Sequence, residues 1–231
     1  MINEYLFADL ASLTQALTTH CCAVLQEQSD RPLVYLSGGR TPQPLYQQLA
    51  QSTLDFTGID CLMVDERWVD YDQAGSNARF IDECFAANRF FSLQPMKYPG
   101  EDFQRAHIAL EAHYSRYKSR ANLCILGMGP DGHTASFFPH SKGLSEALAE
   151  HNSQRVCGIT AIPSEVTGAH IQRLSLTLNT IATSRNIVLL FTGQEKWQVY
   201  QTAKNSKDWQ RLPIAALLQR RNVELDVYWC P

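Results

Sequence analysis

Four apolar runs, Leu33-Val34-Tyr35-Leu36, Ile59-Asp60-Cys61-Leu62-Met63-Val64, Leu123-Cys124-Ile125-Leu126 and Ile187-Val188-Leu189-Leu190-Phe191, set the strongest limit on what this chain can fold into. Each is short, mostly unalternated and closed by turn residues, the pattern of a strand buried on both faces. Helical patterns lie between them. The clearest takes Asp9 as its N-cap and runs through Leu10, Leu13, Leu17, Cys21 and Val24. Alternating strands and helices predict an α/β fold, a largely parallel, Rossmann-like sheet flanked by helices on both faces. The 231 residues contain no repeat, low-complexity tract or long linker, so residues 1–231 read as one domain. A domain of this size buries roughly 70–75% of its unfolded surface.

Charged residues make up 19% of the chain and the formal net charge is −3, which excludes the basic footprint of a nucleic-acid binder. An anionic substrate would therefore need a local cluster of Arg and Lys. Seven cysteines, an odd number without C-x-x-C spacing, argue against a disulfide framework and a structural zinc site. They are expected to be free thiols, with Cys61 and Cys124 serving as small buried hydrophobes inside strands. No stretch approaches the ~18 apolar residues of a membrane span. Met1-Ile2-Asn3-Glu4 lacks the charged and apolar regions of a secretory signal, so the expected location is the cytoplasm, without a membrane partner. The expected state is a monomer or weak homo-oligomer.

Each predicted strand runs into a polar, glycine-containing or charged segment. These are Ser37-Gly38-Gly39-Arg40-Thr41-Pro42, Asp65-Glu66-Arg67-Trp68, Gly127-Met128-Gly129-Pro130-Asp131-Gly132-His133 and Thr192-Gly193-Gln194-Glu195-Lys196. If the strands are parallel, all four segments meet at one edge of the sheet, where open α/β sheets bind ligands. His133 is the first candidate for a reacting base, because histidine changes charge near neutral pH. Asp131 either orients its ring or fixes the turn through an Asx hydrogen bond. His133 reads equally as a buried, hydrogen-bonded histidine. His20, His107, His113, His140, His151 and His170 lack metal-ligand spacing and read as structural or surface residues.

The Ser37 to Pro42 segment precedes a helical pattern, Pro44 to Leu49, so its free backbone N–H groups at the helix start suit a phosphate. It matches neither G-x-x-x-x-G-K-[ST] nor G-x-G-x-x-G, and it also reads as a structural strand-to-helix connector. Arg67 can bind phosphate or carboxylate in a bidentate fork, or pair structurally with Asp65. Lys196 falls in the first turn of a helix predicted over Glu195 to Lys204. A cation there opposes the helix dipole, so a local anion would explain it better than helix stability does.

Together the segments resemble the 6-phosphogluconolactonase family, within the glucosamine-6-phosphate isomerase/deaminase superfamily. The resemblance rests on Ser37-Gly38-Gly39-x-Thr41-Pro42 with Leu45-Tyr46, Asp65-Glu66-Arg67 with Ser76-Asn77, the run Gly127 to Pro139, Arg173-Leu174-Ser175-Leu176-Thr177, and Gly193-x-x-Lys196. These fall in the family's order over nearly the whole chain. The resemblance implies hydrolysis of 6-phospho-D-glucono-1,5-lactone in the oxidative pentose phosphate pathway, without a metal or organic cofactor. His133 would be the general base on water, with Asp131 orienting it or contacting sugar hydroxyls. Gly38, Gly39, Arg40, Thr41, Asp65, Arg67, Arg173 and Lys196 would hold the sugar-phosphate lactone. Arg173 alternatively begins a structural element as an exposed arginine.

Two positions depart from the family pattern. Arg40 stands where a small hydroxyl residue is common, making the loop more cationic, and no acid follows Val227-Tyr228-Trp229-Cys230-Pro231. An amino-sugar phosphate deaminase or isomerase on the same scaffold involves an Asp-Glu-Tyr type segment and a carboxylate downstream of the histidine. Here Arg67 follows Asp65-Glu66, and Thr134 to Pro139 contains no acid. A non-catalytic sugar-phosphate sensor would have no need of His133 and Asp131. A serine hydrolase would need a G-x-S-x-G elbow, which is missing.

Overall fold

The four apolar runs become adjacent strands at the centre of a parallel sheet. The structure, a computed structural model, describes residues 1–26, 31–98, 100 and 102–231. In chain order the elements are β1 (Ile2–Leu6), α1 (Leu10–Gln26), β2 (Leu33–Leu36), α2 (Gln43–Ala50), β3 (Asp60–Met63) and β4 (Asp65–Arg67). They continue with α3 (Asn77–Cys84), β5 (Leu93–Gln94), α4 (Phe103–Tyr114), β6 (Leu123–Gly127), α5 (Leu144–Leu148) and β7 (Val156–Thr160). The last are β8 (Gln172–Leu176), α6 (Leu178–Ala182), β9 (Ile187–Thr192), α7 (Gln194–Asn205), α8 (Ile214–Leu218) and β10 (Leu225–Cys230).

Among the described residues the main sheet has the order β1-β10-β9-β6-β2-β3-β5, and every neighbouring pair is parallel. All four residues of β2 are buried. Since successive side chains point to opposite faces, that burial requires cover on both sides. On the helical side of the core, Asp9 caps α1 by accepting the Ser12 N–H at 2.8 Å. The helix buries Leu13, Thr14, Leu17, Thr18, Cys21 and Leu25, while Leu10 is exposed, so its inward stripe lies slightly round from the predicted one. All seven cysteines are free, and Cys61 and Cys124 are buried in β3 and β6. Burial pushes both thiols well up.

Order in the sheet creates the crevice. From β2 the chain passes through α2 to β3 on one side, whereas β6 neighbours β2 on the other side and leads on to β9. The loops after β2 and β6 therefore diverge, and a cleft opens between them at the carboxyl edge.

One segment differs from its sequence reading. Asp65-Glu66-Arg67 does not simply close β3; it is a strand of a second, antiparallel sheet, β4-β8-β7. The chain leaves the main sheet at Val64, whose N–H still donates to Leu36 O at 2.9 Å and whose carbonyl accepts Leu176 N–H at 2.8 Å. Buried Glu66 secures this junction. Its carboxylate accepts the N–H groups of Arg67, Asn77 and Ala78 at 2.7, 2.8 and 2.8 Å, and Ser76 Oγ–H at 3.2 Å. Burial pushes that carboxyl up, against the pull of these backbone donors.

Candidate active site

A cleft of about 240 Å³ lies at the carboxyl edge of the main sheet, closed on one side by β4 and β8. It is lined by Gly38, Gly39, Arg40, Thr41, Asp65, Arg67, His133, Arg173 and Lys196, so nine of the sequence-selected residues meet there. Asp131, the tenth, lies behind His133. Asn77, Met128 and Ala135 also line the cleft without having been singled out individually. Their places depend on loop packing that no local pattern encodes.

The turn after β6 presents His133, the candidate base. Gly129 N–H donates to His133 O at 2.9 Å and Gly132 N–H to Gly129 O at 3.1 Å, curling the chain back on itself. Gly129 is required here by contact: a Cβ would run into the His133 ring. Asp131 Oδ1 accepts both the His133 backbone N–H at 3.1 Å and ring Nδ1 at 2.6 Å. Both side chains are about a quarter exposed or less. Burial opposes ionisation of Asp131, but the His133 hydrogen bond and charge outweigh it and hold the carboxyl below its ordinary value. An ionised Asp131 accepts the Nδ1 proton, which leaves Nε2 with its lone pair free. Nε2 has no hydrogen-bond partner among the described residues, the state a general base needs.

The loop after β2 is stiffened from beneath. Ser37 Oγ donates to Ile125 O and Tyr46 OH to Ser37 O, both at 2.7 Å. Gly38 presses on the Asn77 side chain, where a Cβ would collide, and Gly39 holds φ at +103°. The N–H groups of Gly38, Gly39, Arg40 and Thr41 find no acceptor among the described residues and stand at the start of α2. Such a row of free donors suits an anion.

Arg67 and Arg173 are direct cross-strand partners in β4 and β8. Like charges in that relation repel. Arg173, only 4% exposed, is not the exposed arginine of the alternative reading. Its Nε donates to His170 O at 2.7 Å and a terminal nitrogen to Thr167 O at 2.8 Å. Burial pulls its guanidinium down, Asp65 pulls it up, and Arg67 lowers it further. Arg67 donates to Gly75 O at 2.6 Å. Asp65 offers little open carboxylate, since Ser136 Oγ donates to Oδ2 at 2.6 Å and Asn77 Nδ2 lies 3.4 Å from Oδ1. Lys196 sits in the first turn of α7, half-buried and without a hydrogen bond or ion pair among the described residues. Burial lowers its ammonium, partly offset by the charges of Asp131 and Glu195.

The cleft thus gathers four cations around one engaged carboxylate in a chain of net charge −3. Among the described residues no group of three or more His, Cys, Asp or Glu is arranged to hold a metal ion. None of their helices is long and apolar enough to cross a membrane.

Such a fold and site define an α/β protein that presents a histidine–aspartate pair beside a cleft lined by four cationic side chains. Residues 8–229 match the family described as glucosamine-6-phosphate isomerases/6-phosphogluconolactonase, and the chain belongs to it. It is 35% identical to a 6-phosphogluconolactonase of Xylella fastidiosa, over 90% of this chain and 87% of that protein. It is 30% identical to one of Rhizobium meliloti, over 99% of both. The crystal structure of a 6-phosphogluconolactonase from Shewanella baltica superposes with a TM-score of 0.90 at 30% identity, covering 100% of this chain and 98% of that one.

Proposed function

We propose that residues 1–231 act as one domain that hydrolyses 6-phospho-D-glucono-1,5-lactone to 6-phospho-D-gluconate, in the oxidative pentose phosphate pathway. The observation that carries this reading is the open Nε2 of His133, set by Asp131 in a cleft that also contains the repelling pair Arg67 and Arg173. An anion between the guanidinium groups relieves their repulsion, so a substrate phosphate has a site prepared for it. The family membership and the names of the similar proteins support the same chemistry.

Water bound near Nε2 attacks the lactone carbonyl while His133 takes its proton. The carbonyl oxygen becomes an oxyanion, which the cations and free N–H groups of the cleft stabilise. As the intermediate collapses, the bond from C1 to the ring oxygen breaks and the imidazolium returns a proton to that oxygen. Arg67, Arg173, Lys196 and the Gly38 to Thr41 donors supply the phosphate grip, a remote handle that holds the reacting carbonyl in place. Seven free thiols suit a reducing compartment, and the cytoplasm is the proposed location. A deaminase reading is weaker, because the segment Thr134 to Pro139 brings no acid to the cleft and Asp65 is already engaged.

The test compares 6-phosphogluconolactone with unphosphorylated gluconolactone in the wild type and in Arg67→Ala. The expected result is a strong wild-type preference for the phosphorylated lactone, lost largely through a raised KM in the variant. Equal turnover of both lactones by the wild type would contradict the phosphate role.

A further inference from the structure

Phe138 is 2% exposed, yet its ring touches two residues that line the cleft. The His133 imidazole stacks on it, with centroids 4.3 Å apart and planes 29° from parallel. The Arg173 guanidinium carbon lies 4.9 Å from the same centroid. We propose that Phe138 is a positioning residue whose single ring fixes both the base and a substrate-facing cation, an inference that rests on reading His133 as the base.

Phe138 is held firmly enough to do this. Thr134 Oγ1 donates to Gly127 O at 2.8 Å, and Ser136 Oγ reaches from the same segment to Asp65 on β4 at 2.6 Å. Ser136 N–H points to Ser175 Oγ on β8 at 3.4 Å, and Phe138 N–H donates to Ser136 O at 3.0 Å. Between them Ala135 adopts φ +50°, a conformation that costs a non-glycine residue energy. Neighbouring Phe137 is wholly buried. Both sheets therefore clamp the segment, and the ring cannot drift without disturbing them.

An aromatic face is electron-rich and attracts cations. It holds the Arg173 guanidinium in the resting enzyme. When His133 takes a proton from water, its ring becomes cationic and its attraction to Phe138 grows, so the interaction is stronger in the transition state than before it. Asp131 works at Nδ1 from the same turn. Other charges near the base are Lys196 from α7, Asp65 and Arg67 from β4, Arg173 from β8, and Arg40 from the loop before α2.

Replacing Phe138 with pentafluorophenylalanine keeps the shape of the ring and reverses its quadrupole. The first readout is an NMR titration of 13C-labelled histidine in the full-length protein, with His133 assigned by its loss in His133→Gln. The midpoint of His133 should fall by about half a unit while the other histidines stay put. In parallel, kcat should fall about threefold, and Phe138→Tyr, which keeps the electron-rich face, should restore it. A double-mutant cycle on 6-phosphogluconate binding with Phe138→Leu and Arg173→Met should show coupling. An unmoved His133 midpoint with the fold intact overturns the role toward the base, and additivity in the cycle overturns the role toward Arg173. A wild type that fails to accelerate lactone hydrolysis would refute the proposed function, while the titration still decides the role of Phe138.

Discussion

Replacing Asp131 with Asn tests the geometry of the base most sharply, because it keeps the shape of the side chain and removes its charge. With the amide carbonyl toward Nδ1, Asn accepts the ring proton but offers no charge to balance the imidazolium that forms on Nε2. With the amide reversed, its NH2 donates to Nδ1 and forces the remaining proton onto Nε2, where it blocks proton uptake. The 2.6 Å Nδ1–Oδ1 bond is charge-assisted and about three-quarters shielded from solvent. Such bonds contribute about 1.5–3 kcal/mol, equivalent to about a 10- to 150-fold loss in kcat. KM should change little, since the proposed phosphate grip lies elsewhere in the cleft. Stopped-flow measurement on freshly generated lactone, corrected for spontaneous opening, reads both parameters. Stability gives an independent sign. A carboxyl whose folded value is lowered contributes stability above its unfolded value and loses it as pH falls through the folded one. Unfolding curves of wild type and Asp131→Asn should therefore converge below about pH 4. A variant that keeps more than half of wild-type kcat would refute the orienting role.

Substitutions at two further positions, Gly129 and Lys196, separate the proposed base from the proposed anion grip. Gly129→Ala drives a Cβ into the His133 ring and toward Asp131 Oδ1, so kcat should fall by about 100-fold, as expected for a misplaced reacting group, with product affinity measured by calorimetry largely kept. Lys196→Met removes a half-buried ammonium whose charge burial disfavours, so Tm should hold or rise while KM rises. Because its folded value is lowered, Lys196 loses its proton as pH rises before an ordinary lysine would. Substrate affinity of the wild type should weaken on that alkaline limb, and Lys196→Arg should extend it to higher pH.

The central sheet was legible because β2, β3, β6 and β9 are buried on both faces and so read as continuous apolar runs. Once they are parallel, their following segments must share an edge, which is why eight of the nine selected residues in the cleft meet there, while Arg173 arrives on β8 of the second sheet. β1 escaped notice because it is an edge strand whose residues are half or fully exposed, leaving no apolar period to read. The second sheet was hidden for a different reason. In β4 the sequence Asp-Glu-Arg carries three charges, and it pairs as a strand only because the buried Glu66 carboxylate is hydrogen-bonded by the Asn77 and Ala78 N–H groups of α3 and by the Ser76 hydroxyl, ten or more residues away. Arg173 was ambiguous on the same ground, since its burial is set by Thr167 and His170 carbonyls and by its register with Arg67. Phe138 stood inside a recognised run, but its contacts with His133 and Arg173 join two distant segments.

The most direct measurement is hydrolysis of freshly generated 6-phosphogluconolactone by the purified protein against the spontaneous rate, with glucosamine-6-phosphate deamination followed in parallel. Catalysed loss of the lactone that disappears in His133→Ala, while that variant still binds 6-phosphogluconate, is the predicted result. Deamination without lactone hydrolysis, or full turnover by His133→Ala, would contradict it.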